Sequence, residues 1–75
     1  MIKVEVRLFA YFRQGRGKTQ IMEVEEGTTI ADILKALDIE EEEVAIMLLN
    51  GSDGSSDRQV EDGDVVSLFP PVGGG

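Results

Sequence analysis

The start of the chain alternates apolar and charged residues without interruption from residue 2 to residue 8. Successive side chains of a β-strand point to opposite faces of a sheet, so this period of two predicts a strand with one buried face. The buried face is predicted to comprise Ile2, Val4, Val6 and Leu8. Phe9 comes next and is predicted to point to the outward face, together with Lys3, Glu5 and Arg7.

The next segments predict a second strand and one short helix. Residues 14–18 form a polar turn that contains two glycines, and residues 19–25 form a strand that makes a hairpin with the first one. Thr29 and Asp32 have the spacing of a capping box, which marks the start of a helix. The apolar stripe of this helix, at spacing i, i+3, i+4 and i+7, consists of Ile30, Ile33, Leu34 and Leu37.

Two further strands complete the pattern. Residues 44–49 are a continuous apolar run that predicts a central strand, and residues 65–69 form the last strand, after a turn at residues 62–64. The segment between them is polar, because Val60 is the only apolar residue in residues 50–61. Residues 52–57 are therefore predicted to form a loop rich in Gly, Ser and Asp, and an edge strand in residues 50–61 is in doubt. The predicted fold class is α+β, a sheet with a single helix packed on one face.

The last strand predicts an exposed apolar surface. Ser67 tolerates water, so the face of the strand that contains Val65, Ser67 and Phe69 is predicted to point outward, and Val66 and Leu68 are predicted to join the core. The run at 44–49 is apolar on both faces, yet one helix can cover only one of them. We therefore expect Phe9, Val65 and Phe69 to contribute to a partner-binding patch on the open face. The alternative is that these are scattered exposed hydrophobic residues with no role in binding.

The composition excludes most enzyme chemistry. The chain of 75 residues contains no cysteine, histidine or tryptophan, so it lacks disulfides, thiolate and imidazole metal ligands, and Cys- or His-dependent nucleophiles. The four glutamates at 40–43 indicate a solvated segment, because adjacent like charges repel. We therefore expect no metal site, no bound cofactor and no catalytic activity of its own.

The charge and the hydropathy pattern limit the class of partner. Fifteen acidic and seven basic side chains give a net charge of −8, which disfavours nucleic-acid binding. The acidity is expected either to attract a basic partner groove or only to keep the domain soluble. No signal-peptide pattern and no apolar run of membrane-spanning length occurs, so we expect a cytoplasmic protein with no membrane partner.

The C-terminal residues are the remaining candidate for chemistry. They are Phe69, Pro70, Pro71, Val72, Gly73, Gly74 and Gly75. Two prolines stop strand pairing and stiffen the exit, whereas glycines without a Cβ can thread a narrow channel. An α-carboxylate is unreactive until it is activated, typically as an acyl-adenylate made with ATP. We therefore divide the chain into a domain at residues 1–69 and a flexible functional tail at residues 70–75; an idle glycine tail is the alternative.

These features resemble the ubiquitin-like β-grasp sulfur carriers, and the ending resembles the molybdopterin synthase small subunit in particular. The matching segments are Met1-Ile2-Lys3-Val4, residues 62–65 and the tail from Phe69 to Gly75. The resemblance implies a β-grasp fold with a mixed sheet. It also implies that an ATP-dependent, E1-like enzyme adenylates Gly75, whose carboxyl group then becomes a thiocarboxylate. The sulfur would pass to a dithiolene precursor in a complex with the synthase large subunit.

Three alternatives to this function remain open. The thiamine-pathway sulfur carriers share the Gly-Gly ending but usually lack the Phe-Pro-Pro-Val segment before it. Archaeal ubiquitin-like modifiers, which form isopeptide bonds with lysines, can share the whole ending. A plain interaction module with an idle tail is the third. The sequence does not identify the acceptor of the sulfur, and ATP would be used by the activating partner.

Overall fold

The structure is a computed structural model, and it describes residues 1–71 of the 75-residue chain. The strands are β1 (Ile2–Leu8), β2 (Thr19–Val24), β3 (Ile46–Leu49), β4 (Ser52–Asp53) and β5 (Val65–Phe69). They form one sheet in the order β2-β1-β5-β3-β4. Helix α1 (Ile30–Ala36) lies between β2 and β3 in the chain, and two 3₁₀ turns span Ala10–Arg13 and Glu41–Glu43.

The sheet is mixed, with its one parallel pair at the centre. β1 pairs with β2 in antiparallel register and with β5 in parallel register, so that Leu8 lies beside Leu68. β3 pairs antiparallel with β5 and with β4. With α1 on one face, this arrangement confirms the predicted α+β fold class.

The core lies between the sheet and α1. The inward residues of β1 and β5 and the stripe of α1 are all buried, as the sequence predicts, and Val4, Val6 and Leu68 are fully inaccessible. Burial of one such side chain stabilises a domain by about 1.5–3 kcal/mol, which makes this face the main source of stability. The core also contains Met47, from the apolar run at 44–49, and three residues that the strand and helix patterns do not predict: Phe12, Ile39 and Val60.

Helix α1 starts at the predicted capping box. The Asp32 backbone N–H donates to the Thr29 hydroxyl (3.2 Å), and the Thr29 N–H donates to the Asp32 carboxylate (3.1 Å). The hydrogen bond from the Thr29 backbone, and then that with its side chain, lowers the pKa of Asp32 from its ordinary value of 3.8. The cap therefore holds this carboxylate in its ionised form.

The end of α1 is bound by an arginine that the sequence pattern does not single out. The Arg16 guanidinium donates to the backbone carbonyls of Leu37 (3.1 Å), Phe12 (3.2 Å) and Asp38 (3.4 Å). A cation is favourable at this position because the last carbonyls of a helix carry partial negative charge. Arg16 thus connects the turn of the β1–β2 hairpin to the end of the helix.

Several boundaries differ from the prediction. β2 ends at Val24 rather than at residue 25, and β3 begins at Ile46 rather than at residue 44. The doubtful edge strand is present as β4, where a loop was expected. Its cause is the turn at Asn50 (φ 52°) and Gly51 (φ 86°), since two successive positive φ angles fold the chain tightly back on β3.

The loop after β4 is organised around Arg58. Its guanidinium donates to the carbonyls of Ser52 (2.6 Å), Ser55 (2.8 Å) and Met47 (2.9 Å). The Ala31 N–H at the start of α1 donates in turn to the Ser56 carbonyl (2.8 Å). Hydrogen bonds therefore hold this polar segment against the rest of the fold. The sequence pattern does not predict this order, because the segment contains almost no apolar residues.

Candidate functional site

The open face of the sheet brings two aromatic side chains together at the end of its two central strands. Because β1 and β5 are parallel and Leu8 lies beside Leu68, the residues that follow, Phe9 and Phe69, are also neighbours. Their rings stack with centroids 4.1 Å apart and an angle of 10° between planes. Stacking of this kind contributes about 0.5–1.5 kcal/mol beyond the area that it buries.

Neighbouring strands extend this apolar surface. Ile46 pairs with Phe69, and Leu48 pairs with Ser67, which places both residues of β3 on the open face. Val65 lies beside Glu5 and is half-buried. We call the group Phe9, Ile46, Leu48, Val65 and Phe69 the open-face patch. Ile46 remains 43% exposed, so the patch is accessible to a partner.

Charged groups lie beside the patch. Arg7 and Glu5, which share the open face of β1, form an ion pair with each other. The Arg13 guanidinium lies over the Phe9 ring, 5.3 Å from its centroid, in the range of a cation–π contact. Arg13 comes from the first 3₁₀ turn, which directly follows Phe9.

The patch adjoins the segment that leads to the C-terminal glycines. The Ala45 N–H donates to the Phe69 carbonyl (2.8 Å), which is the last contact of β5 with the β3 side. Pro70 is buried and Pro71 is exposed. Neither proline has an N–H to extend the ladder. The other predicted tail residues lie outside the described residues, so their roles remain predictions: Val72, Gly73, Gly74 and Gly75.

A cavity lies at the opposite end of the sheet. It is an open cleft of about 450 Å³. Its lining residues are Ile2, Glu26, Gly27, Gln59, Val60, Glu61 and Asp62. Within residues 1–71, no group of three carboxylates is placed to hold a metal ion. No helix in the described part of the chain is long and apolar enough to cross a membrane.

Comparison with known families agrees with this geometry. The model of the ThiS family matches residues 6–75. The chain belongs to the ThiS family. Its mixed sheet and single helix are the ubiquitin-like β-grasp, as the sequence resemblance implies. Members of this family are small carrier and modifier proteins rather than catalysts.

Proteins similar to this ThiS-family chain include an archaeal modifier protein and subunits of molybdopterin-converting factors. Small archaeal modifier protein 3 of Haloferax volcanii is 33% identical over 93 residues, with 99% of this chain and 100% of the relative covered. A putative molybdopterin converting factor subunit 1 from Pyrococcus furiosus is 31% identical, with a TM-score of 0.79 and coverage of 96% and 100%. A third match, 26% identical with a TM-score of 0.67 and coverage of 99% and 100%, comes from a complex of subunits 1 and 2 of the Helicobacter pylori molybdopterin-converting factor.

The structure places the three predicted partner-binding residues on one face. Phe9 and Phe69 are in contact, and Val65 lies on the same face of β5. The sequence pattern does not assign Ile46 and Leu48 to the patch individually, although both belong to the run at 44–49 that is predicted to be apolar on both faces. Arg13 had no signal in the sequence pattern, because its position depends on a turn that the pattern does not show.

Proposed function

We propose that the protein is a sulfur carrier whose reactive group is the carboxyl group of Gly75. An ATP-dependent, E1-like enzyme would activate it: a carboxylate oxygen attacks the α-phosphate of ATP, pyrophosphate leaves, and an acyl-adenylate forms. Sulfide sulfur then attacks the acyl carbon and AMP leaves, which yields a thiocarboxylate. The chain acts in this reaction as a co-substrate, in the cytoplasm, where ATP is available.

The continuity between the open-face patch and the tail carries this proposal. Phe69 belongs to the patch, and Pro70 and Pro71 begin the segment that leads to Gly75. Six residues beyond Phe69 span at most about 20 Å. A partner bound to the patch can therefore hold its own active site within reach of the Gly75 carboxyl group. The side-chain-free glycines at 73–75 suit passage through a narrow channel.

We assign the patch to two successive partners. Phe9, Val65 and Phe69 would bind the activating enzyme first and the large subunit of a molybdopterin synthase second. The similarity to molybdopterin converting factor subunit 1, and the Helicobacter pylori complex of subunits 1 and 2, support the second partner. In this assignment the thiocarboxylate supplies sulfur to a dithiolene precursor in molybdopterin synthesis.

Protein modification is the second candidate function. The 33% identity to small archaeal modifier protein 3 over nearly the whole chain favours it. The same acyl-adenylate would then react with a lysine amine, which displaces AMP and forms an isopeptide bond. Sulfur transfer in thiazole synthesis is a variant of the first function, and it uses the same thiocarboxylate.

The decisive test is the intact mass of the chain after activation. The purified chain is incubated with its cognate activating enzyme, ATP and a sulfide donor. We expect the mass to rise by the difference between one sulfur and one oxygen. A chain without Gly74 and Gly75 is the matched control and should not change. An unchanged mass of the full chain with an enzyme that consumes ATP would rule out the carrier function.

The acceptor is tested separately. Addition of the synthase large subunit and a dithiolene precursor should return the carrier to its original mass if it acts in molybdopterin synthesis. Branched peptides in cells, with this tail on lysine side chains, would favour the modifier function. An idle tail predicts that removal of Gly74 and Gly75 has no effect in cells, whereas both other functions predict complete loss.

A further inference from the structure

Charge is distributed very unevenly along this acidic chain. Residues 1–22 contain five basic and one acidic side chain, whereas residues 23–75 contain two basic and fourteen acidic ones. Residues 6–22 contain four cations and no carboxylate. This segment starts at the end of β1, which is the end of the sheet where the parallel strand β5 leads into Pro70. The basic part of the molecule therefore adjoins the root of the tail.

Arg13 is the cation of this segment whose guanidinium lies over a ring of the open-face patch. Its Nε donates to the Leu8 carbonyl (2.8 Å), and its guanidinium carbon lies 5.3 Å from the centroid of the Phe9 ring. The two contacts limit the positions available to the guanidinium plane. Among the hydrogen bonds and ion pairs within residues 1–71, neither terminal nitrogen of Arg13 has a partner. These nitrogens form the planar fork that binds a carboxylate with two hydrogen bonds.

Two other cations of the segment are already engaged. Arg7 is paired with Glu5, so this pair brings no net charge to the patch. Arg16 binds two backbone carbonyls at the end of α1 and that of Phe12 in the first 3₁₀ turn. Lys18 lies in the hairpin turn, immediately before β2. Arg13 is thus the positive charge that a partner on Phe9 and Phe69 would meet first.

We propose that Arg13 determines specificity at the open-face patch, and that the activating enzyme docked there places an Asp or Glu carboxylate against its guanidinium. This inference rests on the proposed function, because the enzyme that receives Gly75 is the occupant. The expectation from the net charge of −8 was a basic partner groove. The local charge is opposite, so the docking surface of the enzyme is apolar and acidic.

The physical basis is the environment that docking creates. When the enzyme covers Phe9 and Phe69, water leaves the rim of the patch and the interaction between opposite charges strengthens. The guanidinium is already held by Leu8 and Phe9, so little side-chain entropy is lost when it binds. A basic surface at the same place would leave Arg13 facing a like charge and would be rejected.

The first test measures the dissociation constant between the chain and its cognate activating enzyme. Arg13→Glu should weaken binding about 100-fold, as expected for reversal of a charge in a desolvated pair. Lys35→Glu on α1, the same change of charge on the covered side of the sheet, is the matched control and should stay within about two-fold. Wild-type binding should weaken from about 0.1 to 1 M NaCl, as the Debye length falls from about 10 to about 3 Å.

The second test identifies the facing group directly. In Arg13→Lys, carbodiimide treatment of the complex should join the new amine to an enzyme carboxylate with loss of water. Mass spectrometry should then find the peptide containing residue 13 linked to an Asp or Glu of the enzyme. A purely structural role of Arg13 would produce no such link.

The outcomes separate the two proposals. Folded Arg13→Glu that binds within two-fold of wild type, or a residue-13 link that does not form, would overturn the role of Arg13. If Arg13→Glu fails to fold, the wild type decides: binding to the enzyme that does not change with salt would overturn the role of Arg13. Expected charge effects without thiocarboxylate formation would overturn the sulfur chemistry and support Arg13. A wild-type chain that does not bind the enzyme would overturn both.

Discussion

The two faces of β5 differ sharply although they alternate along five residues. Val66 and Leu68 are fully buried beneath α1, whereas Val65, Ser67 and Phe69 are half-buried on the open side. The covered face is uniformly apolar, and its residues determine the free energy of unfolding. The open face of β5 combines an aliphatic, a polar and an aromatic side chain, which suits binding better than stability. One strand thus carries two separable properties, and substitutions at adjacent positions should affect different measurements.

The largest effect on stability is expected at Leu68. Leu68→Ala removes a fully buried side chain and leaves a cavity beneath α1, so the free energy of unfolding should fall by about 3 kcal/mol. Urea denaturation measures this, with Ser67→Ala as the adjacent control, which should change stability by less than about 0.5 kcal/mol. Binding of the folded fraction of Leu68→Ala to the activating enzyme should be unchanged. Equal losses for both variants would remove the distinction between the faces.

Phe69→Asp should have a smaller effect on stability and a large effect on binding. It removes the stack with Phe9, so the free energy of unfolding should fall by about 1 kcal/mol. Binding to the activating enzyme or to the synthase should weaken strongly, because the change places a desolvated charge at the centre of the patch. Circular dichroism and titration calorimetry measure the two quantities. Phe69→Leu, which retains an apolar side chain, is the control. An unfolded Phe69→Asp would show that our assignment of the faces is wrong.

The smallest effect on stability is expected when the pH is lowered and Asp32, at the start of α1, becomes protonated. The native pKa of Asp32 is lowered, so its contribution to stability is present above its ordinary value of 3.8. The contribution is lost as the pH falls through the lower, native value. Urea denaturation below about pH 4 should therefore show a smaller acid dependence in Asp32→Asn than in wild type. Identical acid dependence of the two proteins would contradict a stabilising role of the ionised cap. Binding at neutral pH should be the same for both, since the cap supports only the covered face.

The predictable parts of the fold have a local cause. The alternation in β1 follows from strand geometry, and the spacing of Thr29 and Asp32 follows from the geometry of a helix start. The outward direction of Phe69 followed in the same way from the parity of Ser67. Each of these predictions needs only neighbouring residues, and the structure agrees with all three.

The features of the fold that the sequence does not predict depend on distant segments or on a backbone turn that the residue types do not show. Phe12 is buried because Ala10, at φ 55°, turns the chain in a conformation that non-glycine residues rarely adopt. The same turn places Arg13 over Phe9, so the sequence pattern could not identify that cation. Val60 is buried in a segment that is tied to the start of α1, since its N–H donates to the Thr28 carbonyl (2.9 Å), and no periodicity in the sequence records this contact.

The candidate site shows the same division. The parity of Phe9 and Phe69 was predictable, but their contact depends on the parallel register of β1 and β5, which joins opposite ends of the sequence. Val65 was placed on the correct face, whereas β3 had to be positioned beside β5 before Ile46 could be added to the patch. For the tail, the lack of a Cβ in Gly73, Gly74 and Gly75 suggests passage through a narrow channel. The thiocarboxylate at Gly75 is implied only by the resemblance to sulfur carriers.

Under the proposed function, the parallel pairing of β1 with β5 determines which molecules a partner can accept. Phe9 and Phe69 lie near opposite ends of the sequence and meet only when the central pair of strands has formed. A partner that requires the stacked rings therefore distinguishes finished molecules from unfinished or denatured ones. Docking would then select for folded chains, and the enzyme would consume ATP only on those chains.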